Sequence, residues 1–182
     1  MKKFLISLIL ALTVVSLLAV PVFGAGNNGP AGKSNVGHVS LYEKDADADW
    51  AIVEDGAWGK YNYKLSGDGV DTEVSGVFNG HGLAAGMKYT LIYYPEVAPN
   101  PWPIEGYEVV VIGASKANEE GNIHIKGSAT IGKPDTQPEV GDYIGQTGDK
   151  IWLVLSSDLT DGVMTGWTPT EYLFEQALIN TP

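Results

Sequence analysis

From His38 onward the chain alternates apolar and polar residues in short runs separated by turn residues. This two-residue period predicts strands rather than helices. Val39 and Leu41 alternate with Ser40 and Tyr42 as a first strand, and Trp50 to Val53 form a short second one closed by Glu54-Asp55-Gly56. In Trp58 to Leu65, Tyr61, Tyr63 and Leu65 share one side while Lys60, Asn62 and Lys64 share the other. Ser66-Gly67-Asp68-Gly69 then turns the chain into Val70–Phe78, a hairpin signal, and Asn79-Gly80-His81-Gly82 reads as a further turn. Tyr89 to Tyr94 and Ile151 to Leu155 are apolar on both sides, the pattern of strands covered on two faces. Tyr107–Ala114 and Asn122–Ile131 supply two more strands, joined by the turn Asn118 to Gly121, with Ile123 and Ile125 inward.

The tail is ambiguous by local rules. Thr168, Pro169 and Glu171 have the order of a helix start, yet Tyr172, Phe174 and Leu178 alternate as a closing strand would, and the balance falls to strand. Eight to ten short strands with turns about every ten residues predict an all-β fold, a two-sheet antiparallel β-sandwich in a single domain over residues 37–182. Two inward faces must meet, because either alone would leave large side chains in water.

Ahead of this domain, Lys2 and Lys3 precede an apolar run that Pro21 breaks, the order of a secretory signal peptide over residues 1–24. Residues 25–36, rich in glycine and asparagine, read as a flexible leader. The competing reading of the first segment is an uncleaved membrane anchor. Both place the domain outside the cytoplasm, secreted or on the cell envelope.

Composition narrows the chemistry. The chain has no cysteine, which excludes thiolate metal sites and cysteine nucleophiles. It also has no arginine; past residue 24, nine lysines against twenty-two acidic residues leave a formal net charge of −13. Such a chain is not expected to bind nucleic acid or anionic lipid.

Asp45, Asp47 and Asp49 alternate as the first ligands of a calcium loop do, but Trp50 and Gly56 occupy positions where that loop needs glycine and glutamate. Calcium in another geometry and a solvated acidic turn are the two readings, and the turn is favoured. His38, His81 and His124 show no ligand spacing; His81, flanked by glycines, is the one best suited to approach a ligand. Trp58, Trp152 and Trp167 read as core, whereas Trp102, between Pro101 and Pro103, is expected to be partly exposed. With Trp50 it offers aromatic faces that grip sugar rings, a reading outweighed by that of a lid folded over the core. A hydrolase would need paired carboxylates or a nucleophile with its base, and neither Ser115 nor any histidine supplies the pair. The expectation is a non-catalytic structural or interaction module without cofactors. A carbohydrate-binding module is the alternative, with a secreted hydrolase as a third, and the partner would be a glycan or another envelope component.

Gly56 to Lys60, Phe78 to Leu83, Tyr89 to Pro95, Pro101 to Pro103, Gly121 to Ile125, Lys150 to Asp158 and Gly166 to Phe174 occur in one order. That order resembles a family of exported proteins of methanogenic archaea and bacteria to which no function is assigned. The resemblance implies a shared exported domain and a common fold over residues 38–180, and no catalytic residue.

Overall fold

A computed structural model describes residues 35–94, 108–132 and 149–179. The signal segment 1–24, the leader up to residue 34, the proline-rich segment with Trp102 and residues 133–148 lie outside the described residues.

Twelve strands follow one another: β1 (Val36–Tyr42), β2 (Lys44–Asp45), β3 (Ala51–Ile52), β4 (Trp58–Ser66), β5 (Glu73–His81), β6 (Lys88–Tyr94), β7 (Val110–Lys116), β8 (Ile123–Thr130), β9 (Lys150–Leu155), β10 (Leu159–Thr160), β11 (Val163–Met164) and β12 (Leu173–Glu175). Eight of them form one antiparallel sheet in the order β7-β6-β9-β12-β1-β4-β5-β8. The all-β, antiparallel expectation therefore holds. The division into two stacked sheets is not seen, because this one sheet curls nearly into a barrel.

The reason lies in β12. Leu173 and Phe174 pair with Leu153 and Trp152 of β9, while Phe174 and Glu175 pair with Tyr42 and Leu41 of β1. Three residues thus hydrogen-bond two halves, β7-β6-β9 and β1-β4-β5-β8, that alternation alone reads as separate sheets. On the far side β7 lies against β8 without a ladder between them. A methyl group on Gly127 of β8 would stand 1.9 Å from the Ile112 carbonyl oxygen of β7. Only a residue without Cβ lets the two backbones meet there.

The interior is lined by alternate residues. Val39, Leu41, Tyr61, Tyr63, Phe78, Ile125, Leu91, Leu153 and Leu173 are all buried and in register around the sheet. Each large apolar side chain so removed from water contributes roughly 1.5–3 kcal/mol. Strands β6, β9 and β12 are buried on their outer side as well, as the doubly apolar sequences of β6 and β9 predict. There Trp152 stacks on Tyr94 at 4.4 Å and meets Phe174 at 5.4 Å, and Trp50 and Trp167 pack over them.

Local boundaries moved in several places: the strand expected from Val70 opens at Glu73, after a 3-10 turn over Gly69–Asp71, and the one expected from Tyr107 opens at Val110. The tail forms a 3-10 turn over Pro169–Glu171 and then β12, so the helix-start signal and the alternation are both expressed in sequence. The Thr168 side chain makes no cap bond; instead its backbone N–H donates to the Tyr172 hydroxyl, which donates to Asp158. The turn expected at Asn79 to Gly82 is a correction: β5 continues through His81, and the chain bends at Gly82 with φ +75°. Gly80 is an inward strand position, left small because the Phe78 ring fills the space beside it.

Candidate functional site

Among the described residues, the outer side of β1, β4, β5 and β8 forms a broad, largely exposed face. Because β4 turns Tyr61, Tyr63 and Leu65 inward, the same period turns Trp58, Lys60, Asn62 and Lys64 outward. Antiparallel pairing then sets rows across the strands. Tyr42, Trp58 and His81 make one row; Ser40, Lys60, Asn79 and His124 the next; His38, Asn62, Val77 and Lys126 a third.

Trp58 leads this face. It is 46% exposed, and its ring lies 4.8 Å from that of His81 at an interplanar angle of 37°. His81 is fixed in turn by a 2.7 Å bond from Nδ1 to Asn122 Oδ1. His124 Nδ1 makes the matching bond to Asn79 Oδ1 at 2.8 Å. Each of these two rings is thus held on the face by a side-chain amide. Beside these rows, an open groove of about 570 Å³ runs along β5 and β8, lined by Glu73, Ser75, Val77, Lys126 and Ser128.

The structure brings together some of the residues singled out from sequence and separates others. His38, His81 and His124 share this face although their spacing gives no hint of it. His81 stands on a strand rather than in a glycine turn, which is why its ring can brace Trp58. Trp58, expected in the core, is outside; the parity of Tyr61, Tyr63 and Leu65 already carried that signal. Trp152 and Trp167 do pack with the core as expected, Trp167 partly buried. Trp50 is half-buried, 5.1 Å from Phe174 and 6.3 Å from Trp167, and belongs to the outer aromatic cluster. Trp102 lies outside the described residues.

Asp45, Asp47 and Asp49 stand around a single 3-10 turn, Ala46–Ala48. Asp45 caps it, its carboxylate accepting the Asp47 N–H at 2.9 Å, and Asp49 ends it in the left-handed region. Among the described residues no three His, Asp or Glu side chains converge on a point that would hold a metal ion.

A second recess lies at one end of the barrel between Glu43, Tyr89, Glu171 and Tyr172, with a volume of about 40 Å³. It admits a water molecule and no sugar ring. Glu43 is committed there to the Ala57 N–H at 2.9 Å, and burial raises the Tyr89 phenol above its ordinary range, opposed by the bond from Ala84 N–H and helped to a smaller degree by the charges of Glu171 and Glu43. Neither carboxylate is set opposite the other across a substrate-sized gap.

Compared with known proteins, the chain matches no family model, and no similar curated protein or solved structure was found.

Proposed function

We propose that this chain is an exported, non-catalytic interaction module that holds an envelope glycan on the outer face of β1, β4, β5 and β8. The observation that carries the reading is Trp58, an exposed indole whose ring is braced by a histidine that is itself hydrogen-bonded. A large apolar ring held in place loses little freedom on binding and matches the C–H faces of a pyranose. Asn62, Asn79 and Asn122 stand on the same face with amides suited to hydroxyls. Export rests on the order of charged, apolar and small residues in the N-terminal segment. The absence of a nucleophile with a base in the sequence supports a binding rather than a chemical role.

Trp58→Ala tests it. The purified chain is expected to be retained on gels containing soluble polysaccharides, and the variant to lose about tenfold or more in affinity while keeping its circular dichroism spectrum. Equal retention of the two proteins would remove Trp58 from the site.

A further inference from the structure

The charged residues of this chain are segregated in space in a way its composition hides. The described carboxylates cluster in the connections: Asp45 to Asp55 between β1 and β4, Asp68 and Asp71 before β5, Glu119 and Glu120 before β8, and Asp158 to Glu171 before β12. The strand face around Trp58 carries the opposite sign. Lys60, Lys64 and Lys126 stand on it with His38, His81 and His124, all the histidines of the chain, against Glu73 alone.

Lys60 and Lys64, four residues apart on one side of an exposed strand, have backbone positions about 13 Å apart along β4. Lys126 lies across β5 from Asn62, between those two levels. Lys126 lines the groove along β5 and β8, and Lys60 and Lys64 stand on β4 beside it, so the three charges are spaced over the face instead of converging on one point. A single small anion would be held by a convergent cluster. Spaced cations beside an aromatic platform fit a polymer with a charge on successive or alternate rings.

Building on the reading of this face as a glycan-binding surface, we infer that its ligand is a carboxylated polysaccharide, a chain of uronic acid residues. Trp58 takes the C–H face of one ring, while Lys60, Lys64 and Lys126 pair with carboxylates further along, with the amides of Asn62 and Asn79 between them. Carboxylates suit this face better than phosphodiesters. A nucleic acid brings a denser charge than three lysines without arginine can match, and the carboxylates at the rims repel it. Weakly basic sulfate esters gain less than carboxylates from N–H and ammonium donors.

Affinity electrophoresis of the full chain in gels containing polygalacturonate, dextran sulfate, a neutral cellulose ether or single-stranded DNA tests the inference. Polygalacturonate is expected to retard the protein most, and retardation to weaken as sodium chloride rises from low to physiological concentration. Lys60→Gln with Lys126→Gln should weaken it about tenfold, since two partly exposed ion pairs are lost together. Lys88→Gln, on the outer side of β6, should leave it unchanged. Preference for dextran sulfate or DNA would overturn the inference. So would retardation by the neutral polymer that Trp58→Ala abolishes and the lysine changes leave intact, although the glycan-binding face itself would then stand. Retardation by none of the polymers would overturn both.

Discussion

Gly127→Ala should destabilise this protein by about 3 kcal/mol or more, a large share of what holds a domain of this size together. The added methyl group would stand 1.9 Å from the Ile112 carbonyl oxygen and 3.2 Å from the Gly113 Cα, and both are backbone atoms. No rotamer change relieves such a contact, so β7 and β8 must separate. Gly69→Ala is the control. It sits at φ +53° with open space around it, so it carries only the left-handed cost of about 1–2 kcal/mol. Urea unfolding of the two variants, with amide exchange in β7 and β8, separates crowding from backbone strain. The Gly127 variant should lose protection in those two strands first. Their ladder edges face each other unpaired, so the opened variant should also aggregate more readily. Were Gly127→Ala no worse than Gly69→Ala, the two strands would not meet as described.

A comparable loss is expected in alkali. Tyr61, Tyr63 and Tyr172 all have phenols pushed well above the ordinary 10.0. Burial is the main cause in each; the neighbouring Tyr63 adds to it at Tyr61, and the bond to Asp158 adds to it at Tyr172, opposed by the weaker bond from Thr168. Above pH 10.0 the unfolded chain gives up these protons while the folded chain keeps them, so the unfolded state binds fewer and stability falls as pH rises. Below that pH the contribution is fully present. Three such groups give a decline of up to about 4 kcal/mol per pH unit. Melting temperature should stay level up to that point and then drop steeply. Tyrosinate absorbance should rise in two stages, the second coinciding with loss of the β spectrum. A single smooth titration of all nine tyrosines with the fold intact would contradict this.

Within that group Tyr61 stands apart, because its buried hydroxyl has no hydrogen-bond partner among the described residues. Tyr61→Phe is expected to raise neutral-pH stability by about 1 kcal/mol and to flatten the alkaline decline by a third. Chemical denaturation at neutral and alkaline pH measures both. A destabilised variant would mean that the hydroxyl is bonded after all.

Much of this architecture is legible in the order of residues. Alternation placed β1, β4 and β8 and chose their inward side chains, because burial of one face imposes a period of two. Two-sided apolarity identified β6 and β9 as covered on both sides. The error at Asn79 to Gly82 came from reading Gly80 as a turn residue, when its smallness serves the Phe78 ring. The error at Trp58 came from weighing the residue's size above its parity on β4.

What the sequence determined by itself is local: where strands run, which of their faces is apolar, and that carboxylates outnumber lysines two to one. Those properties depend on neighbours a few positions away, so a linear reading reaches them. Tertiary structure decided what depends on pairing between distant segments. It used the three residues of β12 to join two halves into one curled sheet, and it brought residues 38, 60, 81, 124 and 126 onto one face. Register across antiparallel strands, which no single segment encodes, is the physical reason that a chain acidic in sum presents a basic, aromatic surface.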